Sequence, residues 1–363
     1  MRLLKIYSLL LILSFALGSC EQLLNPENDN HSTVERTFRD PSFAEGLLLT
    51  AYIRLPTNSL SYNAVATSDA VSSDKLNDYR RMATGEWSSL FNPLNQWDNC
   101  NSAILYLNNF IDVIDTVKWK WTSSELNTLY ARRFKGEAYA LRGLFQYHLL
   151  VTIGGVGSNN ALLGIPLYDK FIKPDDNFNI PRAGFTESVN KIYADFDKAL
   201  EYLTMDDYKD ITNMSQVPAG LIVSNTNNYN TVFGMNTNQR ISGRIVKALK
   251  ARVALLAASP AFTADDPLLW AKTANYAGVV LNTIGGISGL DPLGHRFFEA
   301  EWIEAINLVN NIDQKEIIWR SSINNYQSGL EKNNYPPSLY GLGNINPSQN
   351  LVDAFPGANG YPI

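Results

Sequence analysis

The chain of 363 residues is 45% hydrophobic, which is enough apolar material to bury a sizeable core in one or two domains. Its 30 basic and 35 acidic residues give a net charge of −5 and form no basic stripe, so a nucleic-acid partner is not expected. Two cysteines are too few for a disulfide framework, which excludes the small disulfide-stapled secreted domains.

The N-terminus has the layout of a secretory signal over residues 1–19. Two basic residues, Arg2 and Lys5, precede a nearly continuous apolar run, and small residues follow it. The apolar run is roughly a dozen residues long, well short of the ~20 that a membrane-spanning helix requires. We therefore expect this segment to direct export and to be removed, rather than to act as a transmembrane anchor.

The sequence Leu17-Gly18-Ser19-Cys20 resembles the lipobox of bacterial lipoproteins, in which the cysteine is diacylated and becomes the first residue. Because each buried CH₂ of an acyl chain adds about 0.8 kcal/mol, several chains hold a folded domain firmly at a membrane surface. We expect lipidation of Cys20, followed by a polar tether over residues 20–37. The alternative is a chance cysteine behind an ordinary cleavage site.

Helical periodicity dominates the rest of the chain and predicts a mostly α-helical fold, with apolar residues recurring in steps of three and four. The predicted helices lie within residues 40–55, 97–115, 125–153, 186–203, 241–259 and 268–282. Asp40 before Pro41 and Thr186 are expected N-caps, and Pro260 is expected to end its helix. The last two helices present small residues to each other, as in a tetratricopeptide-like pair, although the repeat spacing is irregular.

Other segments have no sustained period. Residues 56–95 predict a long structured loop, and residues 204–239 predict a loop insertion rich in Asn and Thr. The pattern weakens after residue 282, where residues 315–322 suggest a short strand or helix. Residues 336–363 predict a loop with one helical turn, because Pro and Gly punctuate them.

The sequence contains no convincing catalytic or metal-binding constellation. There are three histidines, His31, His148 and His295. They have no metal-ligand spacing, and acidic pairs such as Asp206-Asp207 are too common to indicate a glycosidase. Cys100 lies on the apolar face of the 97–115 helix, which favours a small buried hydrophobe over a nucleophile. We expect a protein that is not an enzyme and has no cofactor or metal.

Four segments, in this order, resemble the SusD/RagB family of outer-membrane nutrient-binding lipoproteins. FKGEAYALRGLFQYHLLVTIGG at 134–155 resembles K-G-E-A-x-x-L-R-A-x-x-Y/F, with Gly143 in place of the usual alanine. PRAGFTESVNKIYADFDKALEYL at 181–203 resembles P-R-x-t…v-y-x-x-I-x-x-D-L-x-x-A. GRIVKALKARVALLAASPAF at 243–262 resembles G-R-x-t…A-x-A-L-x-A-R-v-y-L, and INPSQNLVDAF at 345–355 resembles N-P-T-x-x-L-V-D-x-F.

The resemblance implies a tetratricopeptide-like helical scaffold with long loops and a few short strands over residues 38–363, lipid-anchored in the outer membrane and facing the cell exterior. Such a protein would lie over a SusC-like TonB-dependent transporter and deliver a polysaccharide, an oligosaccharide or sometimes a peptide for import. Matching residues such as Glu137 and Arg142 are interpreted as helix-packing and ion-pair positions. The family's chains usually continue beyond the last motif, so we expect the C-terminal part to be missing and the product to bind poorly or to be unstable.

The predicted ligand surface, here named the aromatic platform, is the aperiodic aromatic stretch of residues 62–97. The candidate ligand-binding residues are Asn77, Tyr79, Arg81 and Trp87. The two rings would stack on sugar rings, and the amide and guanidinium groups would donate hydrogen bonds. Alternatively, Trp87 and Trp97 anchor this loop against the helices, an interpretation we favour for Trp97. The alternative function is a helical-repeat envelope scaffold that binds other proteins without a nutrient ligand.

Overall fold

The computed structural model describes residues 39–56, 63–88, 90–263, 265–291, 315–320 and 328–361, with side chains from residue 331 onward in the last range. The helices are α1 Pro41–Ile53, α2 Asp78–Arg81, α3 Trp97–Val113, α4 Ser124–Ile153, α5 Phe185–Tyr202, α6 Thr226–Phe233, α7 Gly243–Ala258, α8 Pro267–Asn282, α9 Ser328–Asn334 and α10 Gln349–Ala354. The strands are β1 Ala70–Ser72, β2 Gly155–Val156, β3 Leu162–Leu163 and β4 Ile345–Pro347. The expected mostly helical fold is confirmed. The predicted signal, Cys20 and the tether lie outside the described residues.

The long helices stack in chain order. Helix α1 packs on α3, α3 on α4, α4 on α5, α5 on α7 and α7 on α8. This layering, in which each helix contacts mainly its neighbours, is typical of tetratricopeptide-like scaffolds. Among the described helices of the stack, α8 is the outer layer, since none of its residues is buried. Within the described ranges, no helix combines the length and apolarity that crossing a bilayer requires.

Local signals explain where several helices begin and end. The Asp40 carboxylate accepts from the backbone nitrogens of Ser42 and Phe43 at 2.8 and 3.2 Å, as expected for an N-cap before Pro41. Helix α7 ends at Ala258, just before the expected stop at Pro260. Thr186 was the wrong cap, because Gly184 occupies the N-cap and α5 already begins at the buried Phe185.

Two segments differ from their sequence-based predictions. The predicted loop 204–239 contains α6, whose N-cap Asn225 accepts from the backbone nitrogen of Asn228 at 2.8 Å. An Asn-rich composition concealed this helix, because asparagine favours caps and turns over helix interiors. Residues 315–320 form neither the strand nor the helix that was expected.

Helices α4 and α5 approach closely because α4 presents two glycines, Gly136 and Gly143, to the α5 side of the contact. A Cβ at Gly143 would lie 2.7 Å from Cε1 of Phe196, and one at Gly136 would lie 2.6 Å from Cγ of Leu203. Phe196 is fully buried and Leu203 is 1% exposed, so these contacts are part of the core. The glycine that replaces the usual alanine at position 143 therefore makes room for an aromatic ring.

A buried ion pair joins three helices of the scaffold. Arg142 on α4 donates from Nε and Nη2 to the Asp195 carboxylate on α5 at 2.8 and 2.6 Å. Its Nη1 donates to Oδ1 of Asn108 on α3 at 2.9 Å. All three side chains are buried. The interpretation of Arg142 as an ion-pair position is confirmed.

Glu137 is a second buried charge on α4, and it is fully enclosed by the protein. Its Oε2 accepts from the hydroxyl of Tyr52 at 2.7 Å and from Nη1 of Arg240 at 3.2 Å, and its Oε1 lies 3.1 Å from Nε of Arg133. The Tyr52 hydroxyl accepts in turn from the backbone nitrogen of Ile241 at 3.0 Å. Glu137 thus links α1, α4 and the segment before α7 inside the protein. This agrees with its interpretation as a helix-packing and ion-pair position.

Candidate functional site

In its described residues, 63–88 and 90–97, the aromatic platform is a structured loop, as predicted. It contains a 3₁₀ turn (Asn63–Ala66), strand β1, helix α2 and a π-helical turn (Met82–Glu86). Arg80 fastens α2 to β1, because its Nη1 donates to the carbonyl oxygens of Ser72 and Ser73 at 2.8 and 3.1 Å. The chain here is therefore held by its own backbone and side chains despite having no helical or strand period.

Strand β4, which lies more than 270 residues after β1 in the sequence, holds the platform in place by pairing with it. It pairs antiparallel with β1, with Val71 opposite Asn346. The backbone nitrogen of Ser348 donates to the carbonyl of Asp69 at 2.9 Å, and its hydroxyl donates to the carbonyl of Ser68. The INPSQNLVDAF segment thus forms β4 and α10 beside the platform.

Asn77 has a structural role in addition to its predicted one. It is the N-cap of α2, where its Oδ1 accepts from the backbone nitrogen of Arg80 at 3.0 Å. Its amide nitrogen Nδ2 has no hydrogen bond to another described residue, so this donor can still face a ligand. The predicted ligand role of Asn77 stays a prediction.

Arg81 is held by two carboxylates and an aromatic ring. Its Nε donates to Glu86 at 2.8 Å and its Nη1 to Asp78 at 3.3 Å, while its guanidinium carbon lies 4.0 Å from the Phe91 ring centroid. Nη2 makes no hydrogen bond within the described part of the chain. These contacts fix the guanidinium and leave one of its edges for a ligand acceptor.

Trp87 is the most exposed aromatic residue in the described part of the platform, with 59% of its surface accessible. It follows a kink at Gly85, whose φ of +99° favours glycine, and it precedes a turn in which Ser88 and Phe91 exchange two backbone hydrogen bonds. Tyr79, on α2, is half-buried. The structure therefore presents Trp87 outward on a backbone that is fixed on both sides.

The interpretation of Trp97 as an anchor packed against the helices stays a prediction. The rest of its helix face is buried at Cys100, Ile104 and Leu107, but Trp97 itself is 38% exposed. It is the first residue of α3, and its side chain lines a groove between α3 and residues 168–179, where Tyr168 and Phe178 also lie. Neither of these two residues was predicted as a site residue, because they belong to a segment without a period.

Two reactive side chains that the structure describes, Cys100 and His148, are poorly suited to chemistry, whereas Cys20, His31 and His295 lie outside the described residues. Burial raises the pKa of the Cys100 thiol to about 12, so it stays protonated, which confirms its interpretation as a buried hydrophobe. Burial, with the nearby Arg252 charge, lowers the pKa of His148 to about 4. Among the described residues, no group of three or more His, Cys, Asp or Glu side chains could hold a metal ion.

Comparison with known proteins gives the family. Residues 49–224, from α1 through the platform and α5 to the loop before α6, match the SusD-like family model described as "Starch-binding associating with outer membrane". The matched region, which is just under half of the chain, belongs to the SusD-like family. Among curated proteins, none matches the sequence.

Solved SusD-like structures share the fold at low sequence identity. A SusD-like protein of Bacteroides fragilis is 19% identical with a TM-score of 0.59, over 93% of this chain and 56% of its own. A SusD-like carbohydrate-binding protein of the same species is 15% identical with a TM-score of 0.57, over 90% and 55%. A SusD superfamily protein of Bacteroides vulgatus is 15% identical with a TM-score of 0.53, over 87% and 62%. The chain thus spans little more than half the length of these relatives.

Three SusD-like motif residues lie apart from the exposed aromatic surfaces. Glu137, Arg142 and Asp195 are buried between the stacked helices, whereas Trp87 lies on the platform. At identities below 20%, the shared structure shows how the scaffold is built and does not transfer ligand contacts. The ligand chemistry of this chain therefore depends on its own loops.

Proposed function

We propose that this SusD-like protein is a non-enzymatic, lipid-anchored surface protein that binds a glycan or oligosaccharide and delivers it to a SusC-like TonB-dependent transporter. Family membership supports the proposal, since the family model describes starch-binding proteins associated with the outer membrane. The observation that carries it in this chain is the exposure of Trp87 on a fastened loop.

The chemistry of the platform suits a sugar. The face of an indole ring is apolar with a negative quadrupole, so it stacks on the C–H face of a pyranose ring, while amide and guanidinium donors bond its hydroxyl groups. Trp87 supplies such a face, and Asn77 and Arg81 each keep one nitrogen without a bond to a described residue. Because the loop is already fixed, little ordering entropy opposes binding.

A double substitution tests the platform. The native protein and a Trp87→Ala/Tyr79→Ala variant are run on affinity gels that contain each of a panel of polysaccharides. We expect one polysaccharide to retard the native protein and the double variant to migrate as in an empty gel. Trp121→Ala is the matched control, because Trp121 is 81% exposed but lies on the connection between α3 and α4. Equal retardation of the native protein and the double variant contradicts the proposed role of the platform.

The same panel separates binding from catalysis and from the scaffold alternative. We expect retention without release of shorter saccharides from any polysaccharide. Product release would indicate a hydrolase, and absence of retention across the panel would favour a helical-repeat scaffold that binds envelope proteins.

Delivery and anchoring need their own measurements. We expect a radiolabelled fatty acid to label the native protein and not Cys20→Ser. We also expect the native protein to co-purify with a TonB-dependent transporter that is encoded by a neighbouring gene. An unlabelled protein would remove the lipid anchor from the proposal without affecting glycan binding.

A further inference from the structure

A groove separate from the candidate residues of the platform lies between the start of α3 and residues 168–179. Its cavity volume is about 370 Å³, within the usual range for small-molecule sites. Three aromatic rings line it, from Trp97, Tyr168 and Phe178. Phe178 is 49% exposed and Trp97 38% exposed, so both rings are accessible from solvent.

The groove wall is fastened to the scaffold core. The amide nitrogen of Asn108 donates to the carbonyl oxygens of Tyr168 and Lys170 at 2.9 and 3.0 Å. The Asn108 carbonyl oxygen is held by Arg142, which is itself paired with Asp195. This chain of buried bonds fixes the wall opposite α3 before any ligand arrives.

A further hydrogen bond orients the wall. The Tyr168 hydroxyl donates to the carbonyl oxygen of Phe178 at 2.7 Å, which closes the loop that carries both rings. Burial raises the pKa of Tyr168, so its hydroxyl remains a donor throughout the physiological range. The two rings are thus presented as a formed surface.

The groove has polar atoms that the described protein leaves unpaired. The Asn101 Oδ1 is buried and accepts no hydrogen bond, although its Nδ2 donates to the carbonyl of Trp97 at 2.9 Å. The Trp97 indole nitrogen and the Asn179 side chain also make no hydrogen bond to a described residue. A buried acceptor without a donor costs about 1–3 kcal/mol, and a ligand hydroxyl would remove that cost.

The lining is also uncharged. No charged side chain lines the groove among the described residues, and the nearby guanidinium of Arg142 is already neutralised by Asp195. An anionic ligand would therefore lose its hydration without gaining a cation. A purely apolar ligand would leave the Asn101 oxygen unpaired. Aromatic faces with neutral donors and acceptors match a ring that is apolar on its faces and hydroxylated at its edge.

We propose that this groove is a second saccharide site, specific for neutral pyranose units over acidic ones, with Trp97 and Phe178 as stacking rings and Asn101 as an acceptor for a sugar hydroxyl. The inference rests on the proposed glycan-binding function but uses none of the four candidate ligand-binding residues of the platform. The two can therefore be tested separately on one protein.

The test follows the indole N–H resonances of ¹⁵N-tryptophan-labelled protein, with Trp97 assigned by Trp97→Phe. The probes are maltotriose, cellotriose, laminaritriose, mannotriose, galactotriose and trigalacturonic acid. We expect at least one neutral trisaccharide to shift the Trp97 resonance, and to do so equally in the Trp87→Ala/Tyr79→Ala background. Trigalacturonic acid should leave the Trp97 resonance unshifted.

Two variants test the assigned roles. Phe178→Ala should raise the apparent Kd of the responding trisaccharide about fivefold to tenfold, the effect of losing one stacking contact. Asn101→Ala should weaken binding while the protein unfolds at the same or a higher urea concentration, because an unpaired acceptor is removed. A purely structural role of Asn101 would instead lower the unfolding midpoint.

Each outcome is decisive. If polysaccharide retention on gels is intact but no neutral trisaccharide shifts Trp97, the groove proposal fails and the proposed function stands. If trigalacturonic acid shifts Trp97 as strongly as galactotriose does, the preference for neutral sugars is wrong. If neither gels nor resonances respond, both proposals fail together.

Discussion

The contact between Gly143 and Phe196 makes a quantitative prediction about the scaffold. The family pattern has alanine where α4 has Gly143, and leucine where α5 has Phe196. A Cβ at position 143 would lie 2.7, 2.9 and 3.2 Å from three carbons of the Phe196 ring. The ring is fully buried and cannot move into solvent. The two departures from the pattern are therefore expected to compensate for each other.

The expected change in the free energy of unfolding follows from two opposing effects. Overpacking a core costs about 1–3 kcal/mol, whereas alanine in place of a helical glycine gains about 1 kcal/mol. Gly143→Ala alone should therefore lower the free energy of unfolding by up to about 2 kcal/mol. Phe196→Leu alone should cost on the order of 1 kcal/mol, because apolar burial is lost. In the double variant the methyl group occupies freed space, so the coupling energy should be about 1–3 kcal/mol.

Urea denaturation followed by far-ultraviolet circular dichroism measures the four free energies of this cycle. Gly278→Ala is the matched control, because a Cβ built at this α8 glycine meets nothing within 4 Å beyond the adjacent backbone of its own helix. It should stabilise the protein by about 0.5–1 kcal/mol and add to Phe196→Leu within about 0.5 kcal/mol. The packing argument is refuted if Gly143→Ala stabilises as much as Gly278→Ala, or if its coupling to Phe196→Leu is below about 0.5 kcal/mol.

Two further predictions concern buried ionisable groups. Asp195→Asn should lower the free energy of unfolding by about 3–5 kcal/mol, because it leaves the buried Arg142 charge uncompensated; a loss below about 1 kcal/mol in urea denaturation would contradict this. The folded-state pKa of His148, about 4, lies below its ordinary value, so its contribution to stability is complete above pH 6.5 and is lost as the pH falls towards 4. Between pH 7 and 4.5 the native protein should therefore lose about 2–3 kcal/mol more than His148→Gln, and equal losses would show that His148 does not titrate as described.

Sequence reasoning succeeded where a local rule applied. The steps of three and four in α4, and Asp40 ahead of Pro41, depend on neighbours along the chain, and the structure agrees with both. It failed at α6, where Asn and Thr conceal a helix that is stabilised by its buried contacts at Tyr229 and Phe233. Local propensity is a weak guide wherever tertiary packing decides.

For the candidate sites, too, the sequence predicted what depends on local composition and could not predict what depends on tertiary contacts. Composition marked the platform as aromatic, but only the structure shows Arg81 between two carboxylates and Trp87 facing solvent. Helical periodicity placed Trp97 on the buried face of α3, yet it cannot indicate that this first residue of the helix is 38% exposed. The groove at Trp97 also needs Phe178, which comes from a distant segment, so no local pattern could predict it.

The buried charges connect the scaffold to the groove. Arg142 is held by Asp195, it holds Asn108, and Asn108 holds the backbone at Tyr168, which forms the groove wall. The residues that match the family pattern thus position a wall whose aromatic side chains lie outside that pattern. A substitution at Phe178 can change ligand contacts without touching the ion pair, whereas loss of Asp195 would disturb both the helix stack and the wall. The residues that match the family pattern and the residues that line the groove are therefore different positions in the sequence. In the structure they are connected through Asn108.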